Sequence, residues 1–263
     1  MLTVHDISKS FPGVKALKNV SIDIRPNEVV GLIGENGAGK STLMRTLAGT
    51  LRPDSGTMTL DGAPLRLRGT RDAALHGIGM VFQEQSLLLN MSVAENIYLG
   101  QEDQFTRLGL VNWKAMHAAA RRQMDKIGVD IDVTTRTSEL TFAARQMVEL
   151  AKALTLEETV SRPLVILLDE PTSVLTSSDI EILFDRVRAL KQRASFVFVS
   201  HRLDEVLTIS DRVYTMKDGE VVAEHRAADV TAPQLHEIMV GRGLQTEYYK
   251  EPRQKPPRPT MIS

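Results

Sequence analysis

The sequence contains no cysteine, which excludes disulfide bonds and thiol chemistry and fits a protein of the cytosol. It has no excess of one charge: 32 basic and 33 acidic residues leave a formal net charge of −1, so we expect no nucleic-acid partner. It also lacks a long apolar run, since the longest purely aliphatic stretch is residues 164–168, too short to span a bilayer. The N-terminus has neither the basic start nor the apolar core of a signal peptide. Any role at a membrane is therefore expected to come through a partner.

The length of the chain and its pattern of predicted strands and helices indicate an α/β protein. The 263 residues, 42% of them hydrophobic, suffice for one large α/β domain or for a domain with an inserted subdomain. Apolar or alternating stretches predict strands at residues 2–7, 20–24, 29–33, 57–60, 78–82, 164–168 and 195–200. Helical spacing predicts helices at 41–48 and 179–190, and after the capping residues Ser92, Asn112 and Thr141. Residues 84–162 are mostly helical in pattern, so we expect a core of residues 1–83 and 163–244 with a helical insertion between its two parts.

The strongest chemical signal is the stretch VVGLIGENGAGKST at residues 29–42, which contains the pattern G-x-x-x-x-G-K-S. A predicted strand precedes it and a predicted helix follows, which is the context of a phosphate-binding P-loop. Glycines allow consecutive N–H groups to turn toward an anion, and the helix N-terminus adds its dipole. A chance glycine turn is the alternative, and the strand-before, helix-after context disfavours it. The predicted nucleotide-binding residues of the loop are Gly34, Glu35, Asn36, Gly37, Ala38, Gly39, Lys40, Ser41 and Thr42.

Within this loop, Lys40 is expected to reach the β- and γ-phosphates, and the Ser41 hydroxyl to ligate Mg²⁺. The later aliphatic strand ends in Asp169 and Glu170. We expect Asp169 to hold Mg²⁺ through water, and Glu170 to orient or deprotonate the water that attacks the γ-phosphate. A strand followed by an acidic turn is the alternative, and it is weaker because a P-loop precedes the pair.

Two further polar residues follow predicted strands. His201 comes just after the strand at 195–200, where a neutral imidazole would donate to the γ-phosphate or steady the attacking water, although a lone histidine is more often structural. Gln83 comes at the exit of the strand at 78–82 and would bring an amide oxygen to the metal or the water. By itself the Gln83 signal is weak.

Together and in this order, the motifs resemble an ABC-type ATPase, the motor subunit of ABC transporters, over about residues 2–242. The resemblance identifies residues 34–42 as Walker A, Gln83 as the Q-loop and His201 as the H-loop. Walker B then ends at Asp169 and is followed by the catalytic residue Glu170.

The same resemblance implies the fold and the ligands. The fold is expected to be α/β, a P-loop NTPase of the ABC ATPase type, with a RecA-like core, an N-terminal antiparallel β-subdomain and an inserted helical subdomain. The cofactors would be ATP and Mg²⁺, with Ser41, Gln83 and Asp169 as metal ligands. Phe11 lies where the family keeps an aromatic residue that stacks on adenine.

Four phrases resemble the sugar-import branch of the family, namely FPGVKAL (11–17), SVAENIYLG (92–100), QMVELAKAL (146–154) and MVGR (239–242). Members are usually tandem proteins of two ATPase domains that energise import of a pentose, hexose or related polyol. The implied partners are integral membrane permease subunits, a second ABC ATPase domain and, indirectly, a periplasmic sugar-binding protein. The implied location is the cytoplasmic face of the inner membrane, as a peripheral protein. Residues 245–263 are Pro-rich and charged like a linker, so we expect either the N-terminal half of a tandem protein or a half-size subunit that dimerises.

The signature motif departs from the family pattern, as does the D-loop, where Thr176 stands in place of the usual aspartate. Where the family has the signature LSGGQ, which clamps the γ-phosphate held by a partner domain, residues 140–146 read LTFAARQ. Phe142 and Ala143 replace the two glycines, and Ala144 replaces the glutamine. We therefore expect an asymmetric pair, in which one ATP site hydrolyses and the other mainly holds nucleotide. Two alternatives stay open: an ABC ATPase without a transport role, and a regulatory half with little hydrolysis of its own.

Overall fold

A computed structural model describes residues 1–82 and 86–240 of the chain. Within these ranges the strands are β1 (Leu2–Phe11), β2 (Val14–Ile24), β3 (Val29–Gly34), β4 (Ser55–Leu60), β5 (Ala63–Leu65), β6 (Ile78–Val81), β7 (Thr106–Arg107), β8 (Leu110–Val111), β9 (Leu164–Asp169), β10 (Ala194–Val199), β11 (Arg212–Lys217) and β12 (Glu220–Arg226). The α-helices of the same ranges are α1 (Lys40–Leu47), α2 (Thr70–Leu75), α3 (Val93–Ile97), α4 (Trp113–Ile127), α5 (Phe142–Leu154), α6 (Ser177–Leu190), α7 (Leu203–Ile209) and α8 (Ala232–Val240). None of these helices combines the length and the apolar character needed to cross a bilayer.

The strands form a central sheet and a smaller antiparallel sheet. The central sheet has the order β12-β11-β3-β10-β9-β6, and every neighbouring pair except β11–β12 is parallel. The second sheet has the order β2-β1-β4-β5 and is antiparallel. Because β3, β9 and β10 run in parallel, the residues that follow them emerge at one edge of the central sheet.

Alternation along the central strands divides the core into two apolar clusters. In β10, Phe196 and Phe198 belong to the cluster shared with α3–α8, whereas Val197 and Val199 belong to the cluster shared with α1 and the antiparallel sheet. Side chains of a strand point alternately to opposite faces, so each buried strand supplies both clusters. The helices between β6 and β9 therefore share one continuous apolar cluster with the central sheet.

The three predicted helix-capping residues are confirmed. Ser92 and Glu95 form a reciprocal capping box, the Asn112 side chain accepts from the Ala115 N–H at 3.1 Å, and Thr141 accepts from the Ala144 N–H at 3.2 Å. Helical spacing places Trp113, Met116, Ala120, Met124 and Ile127 on one face of α4, and the last four of these residues are buried. Trp113 is instead 49% exposed and is the first residue of the helix, so the buried part of that face begins at Met116.

The first two strands are longer than the predicted 2–7 and 20–24. Their pairing register shifts between Val4 and Ile7 and again between Ile7 and Lys9, so the two-residue alternation used for the prediction breaks down there. Asp6 and Asn19 have positive φ angles of 51° beside these irregularities. Local bulges, which sequence periodicity does not reveal, therefore account for the difference.

A buried arginine links the two sheets. Arg212 of β11 is 6% exposed and donates to the Glu28 carboxylate at 2.7 and 3.0 Å, and to Asp23 of β2 at 3.0 Å. It also contacts Glu224 of β12 and the Tyr214 hydroxyl. The hydrogen bonds to Glu28 raise the pKa of Arg212, so its guanidinium is a permanent cation among these carboxylates.

Candidate active site

The predicted P-loop connects β3 to α1, and Lys40 is the first residue of that helix. The Lys40 ammonium is nearly buried and donates to the carbonyl oxygens of Gly34 at 2.7 Å and Glu35 at 3.1 Å. Burial lowers the pKa of Lys40, while the nearby Glu170 and Asp169 carboxylates oppose that effect. The lysine is thus held inside its own loop, close to the acidic edge of the sheet.

The loop conformation requires glycine at specific points. Gly39 has φ 102°, and a Cβ there would lie 2.6 Å from the backbone oxygen of Ala16. Gly37 has φ 85°, but a Cβ there would meet no atom within 4 Å. Ala38, between them, is buried, and its carbonyl accepts from the Gly219 N–H at 3.2 Å. The loop is therefore packed tightly on one side and open on the other.

This contrast gives a matched pair of substitutions. We expect Gly39→Ala to lower the free energy of unfolding by about 2–4 kcal/mol, because it combines left-handed strain with a backbone clash. Gly37→Ala should cost about 1 kcal/mol, since strain acts alone there. Urea unfolding of both variants without nucleotide measures the difference. Equal losses would mean that the Ala16 contact does not restrict the loop.

The acidic edge of the sheet lies next to the loop. Asp169 ends β9 opposite Val199 of β10, and the Glu170 N–H donates to the Val199 carbonyl at 3.0 Å. The His201 Nδ1 atom lies 3.5 Å from the Glu170 carboxylate. The structure therefore brings together the predicted residues Asp169, Glu170 and His201, which the sequence separates by some thirty residues.

Two features of this edge are unusual for ordinary surface carboxylates. Glu170 has φ 47°, a left-handed conformation that is strained for a non-glycine residue and is enriched at functional sites. Burial raises the pKa of Asp169, and the neighbouring negative charge of Glu170 raises it further. The positive charges of Arg45 and Lys40 act in the opposite direction but do not cancel the increase. Both features indicate a site that is built to receive positive charge or a polar ligand.

A cleft of about 360 Å³ is lined both by the predicted P-loop and by Glu170 of the acidic sheet edge. Its lining includes the predicted site residues Phe11, Asn36, Gly37, Gly39, Lys40, Ser41, Thr42 and Glu170. Val14 and Ala16 complete the wall beside Phe11, whose ring is 41% exposed. One end of the cleft is thus apolar and aromatic, and the other end carries the lysine and the carboxylate.

The other predicted residues lie around the cleft or outside the described chain. The carbonyl oxygens of Gly34 and Glu35 accept hydrogen bonds from Lys40. Asp169 and His201 lie next to Glu170 at the edge of the central sheet. Gln83 lies outside the described residues, as does the predicted linker at 245–263.

Sequence reasoning missed one residue that holds the edge together. Glu205 of α7 accepts from Thr172 at 2.6 Å, from Ser200 at 3.0 Å and from Arg202 at 2.9 Å. Thr172 follows Glu170, and Ser200 precedes His201, so one carboxylate fixes the segments that carry both groups. A glutamate four residues after the strand-end histidine was the available signal.

A metal would need ligands besides the protein. In residues 1–82 and 86–240 no three His, Cys, Asp or Glu side chains are grouped so that they would hold an ion. Ser41 and Asp169 offer one hydroxyl and one carboxylate oxygen, a donor set that fits Mg²⁺ when phosphate oxygens and water supply the rest. The residues present therefore fit a metal that arrives with a phosphorylated ligand.

The altered signature stretch begins α5. Thr141 uses its hydroxyl as the helix cap, and the partly buried Phe142 and Ala143 pack against the cluster on the helical face. The Arg145 guanidinium donates to the carbonyls of Thr137 at 2.8 Å and Ser138 at 3.1 Å. These side chains are thus committed to contacts within the chain.

The chain resembles known proteins over most of its length. A family model described as ABC transporter matches residues 17–173. Similar curated proteins include a ribose import ATP-binding protein of Streptomyces coelicolor, 43% identical over 95% of this chain and 49% of its own length. Another is a putative ribose/galactose/methyl galactoside import ATP-binding protein of Agrobacterium fabrum, 40% identical over 95% of this chain and 48% of its own length. The chain spans about half the length of the curated relatives that it matches.

Solved structures give the same result for the fold. A nucleotide-free ATP-binding cassette from an ABC transporter superposes with a TM-score of 0.77 at 26% identity, covering 92% of this chain and 99% of that chain. A dimeric cassette bound to ADP and Pi has a TM-score of 0.71 at 24% identity, covering 86% and 99% of the two chains. These similarities confirm the predicted fold class.

Proposed function

The chain belongs to the ABC transporter family, and from that premise we propose that it is the ATP-hydrolysing motor subunit of an importer. The observation that carries the proposal is the single cleft in which Lys40, Ser41 and Glu170 meet. Equilibrium dialysis with ATP and Mg²⁺ tests it directly. Well-folded protein that retains no adenine nucleotide would refute it.

In the proposed reaction, water attacks the γ-phosphoryl group of ATP. Lys40 and the N–H groups of the loop stabilise the charge on the phosphoryl oxygens, and Phe11 stacks on adenine. Ser41, Asp169 (through water) and the predicted ligand Gln83 would hold Mg²⁺, which would supply further positive charge.

The attacking water needs an acceptor for its proton and a group that holds it in position, and Glu170 and His201 at the sheet edge would share these roles. Glu170 accepts this proton or orients the water, and His201 donates to the γ-phosphate or steadies the water. Glu205 keeps the segments that carry these two groups in place.

We propose a monosaccharide or a related polyol as the imported substrate, because relatives at 40–43% identity are named for ribose and galactose import. The partners would be membrane permease subunits, a second ATPase domain and, indirectly, a periplasmic sugar-binding protein. The chain would then work as a peripheral protein at the cytoplasmic face of the inner membrane. Co-purification with an integral membrane permease, and stimulation of its ATPase activity there, test this assignment.

The division of the chain remains a proposal as well. We place the ATPase domain at residues 1–244, with the helical subdomain at about 84–162 and a linker or tail at 245–263. The position of α3, α4 and α5 between β6 and β9 supports the internal boundaries.

The competing assignments predict different results. A non-transport ABC ATPase would hydrolyse ATP without associating with any permease. A regulatory half would bind ATP but contribute little hydrolysis in the isolated chain or in its complex. The near-zero net charge and the sugar-import relatives favour the transport role.

The altered signature leads to a test of asymmetry between the two ATP sites. We expect the double variant Phe142→Gly/Ala143→Gly to raise hydrolysis at the partner's site on the order of tenfold, because a Cβ-free backbone would let its N–H groups approach the γ-phosphate. Measurement of ADP trapped at each site of a reconstituted pair reports this change. Ala118→Gly on α4 controls for the general cost of helical glycine, about 1 kcal/mol. Equal trapping at both sites in the unmodified pair would contradict the asymmetry.

A further inference from the structure

The hairpin formed by β7 and β8 exposes apolar side chains that no other part of the described chain covers. Leu108 is 96% exposed, Leu110 is 76% exposed and Trp113, at the start of α4, is 49% exposed. We name these three residues the apolar tip. Val111, on the other face of the hairpin, packs against the core cluster, so the hairpin is anchored while its tip faces solvent.

The apolar tip includes a strained backbone position. Leu108 and Gly109 form the two-residue hairpin loop, with φ angles of 52° and 78°. Such loops favour Asn-Gly, because Asn tolerates the left-handed conformation better than a branched apolar residue. Within the described part of the chain, Leu108 gains neither burial nor a favourable backbone conformation. A contact outside the chain would account for a leucine at this position.

Basic side chains predominate in the segment that carries the apolar tip, and acidic residues lie on either side of that segment. Residues 104–124 contain four basic side chains, Arg107, Lys114, Arg121 and Arg122, and no aspartate or glutamate. Arg107 is the cross-strand partner of Leu110, and Lys114 follows Trp113 directly, so two cations flank the apolar surface. Arg121 is paired with Asp130 at 3.1 Å. The nearest preceding acids are Glu102, which accepts from the Gly100 N–H at 2.9 Å, and Asp103.

We infer that the apolar tip binds the headgroup region of an anionic lipid bilayer. Leucine and tryptophan enter the boundary between headgroups and acyl chains, and flanking lysine and arginine add attraction to anionic lipids. An acidic protein surface would also attract Arg107 and Lys114. The exposed tryptophan beside basic residues favours lipid, because this combination matches the chemistry of the membrane interface.

The single tryptophan of the chain provides the measurement, because Trp113 lies in the apolar tip itself. The full chain is mixed, without nucleotide, with vesicles of phosphatidylglycerol and phosphatidylcholine, or of phosphatidylcholine alone. We expect a blue shift of Trp113 emission and co-sedimentation with the anionic vesicles, both reduced at high salt. Since no nucleotide is needed, the result does not depend on the proposed ATPase activity.

Three variants and one control distinguish lipid binding by the apolar tip from non-specific adsorption of the protein to vesicles. Leu108→Asn should unfold at the same or a higher temperature than the unmodified chain, yet bind anionic vesicles roughly tenfold more weakly. Arg107→Gln and Lys114→Gln should each weaken binding roughly fivefold. Leu75→Asn is the matched control, because Leu75 on α2 is 63% exposed and lies outside the apolar tip; its binding should not change.

Several outcomes would overturn the inference. These are an unchanged Trp113 emission with anionic vesicles, equal binding to phosphatidylcholine alone, and unmodified binding by Leu108→Asn. If Trp113 responded only to vesicles that carry a membrane protein, the apolar tip would be a protein interface and the lipid assignment would be wrong.

Discussion

Glu170→Gln is expected to bind ATP with nearly unchanged affinity and to lose turnover by a factor on the order of 10²–10⁴. The substitution keeps the shape and the hydrogen-bonding length of the side chain, and it removes the group proposed to take a proton from the attacking water. The strained backbone at φ 47° is retained, because Gln and Glu carry the same Cβ. Dialysis with labelled ATP measures binding, and phosphate release measures turnover.

The matched control for this experiment is Glu220→Gln, a removal of the same charge from an exposed residue on β12. Its turnover should equal that of the unmodified protein. If Glu170→Gln hydrolysed ATP at near the unmodified rate, the catalytic role of Glu170 would be wrong, even if nucleotide binding were demonstrated.

Arg212→Met is expected to lower the free energy of unfolding by about 3–5 kcal/mol. The substitution removes the guanidinium that pairs with Glu28, which is 8% exposed, and leaves Asp23 paired with the exposed Arg25. The loss should appear in urea unfolding at neutral pH. Arg188→Met removes a guanidinium from an exposed pair with Asp185, and this control should cost about 0–1 kcal/mol. Equal losses in the two variants would mean that burial of the Arg212 pairs contributes nothing.

Acid provides a second readout of the same arginine. Burial raises the pKa of Asp23, but hydrogen bonds from Tyr214 and Arg212 outweigh it and leave that pKa below the ordinary value. A lowered pKa means that the stabilisation is present above about pH 4 and is lost as the pH falls further, because the unfolded chain then binds more protons. Arg212→Met should therefore lose less of its remaining stability between pH 5 and pH 3 than the unmodified chain does.

Much of the candidate site was predictable because its residues follow simple rules. A glycine pattern between a strand and a helix predicts a loop that can surround an anion, and the chain does pass from β3 to α1 between Gly34 and Lys40. Parallel strands bring their carboxyl ends to one edge, so Glu170 and His201 were expected to meet, and they lie 3.5 Å apart. Their roles in hydrolysis stay predictions that the experiments above test.

The parts that escaped prediction depend on contacts between distant residues. Strands β11 and β12 were not predicted, and Arg212 showed no local sign of its partners, because Asp23 and Glu28 lie more than 180 residues earlier in the chain. Glu205 likewise acquires its position only when α7 packs beside two strand ends. Hydrophobic periodicity predicts which face of a helix or strand is buried. It does not predict which charged residue from a distant part of the sequence will contact that element.

The helices between β6 and β9 share one apolar cluster with β3, β9 and β10. Any displacement of these helices must therefore slide interdigitated side chains past one another, which favours small shearing steps over a free swing about a hinge. The same contact makes the helices and the sheet a single cooperative unit, so the amides of α5 and of β10 should exchange with solvent through a common opening event.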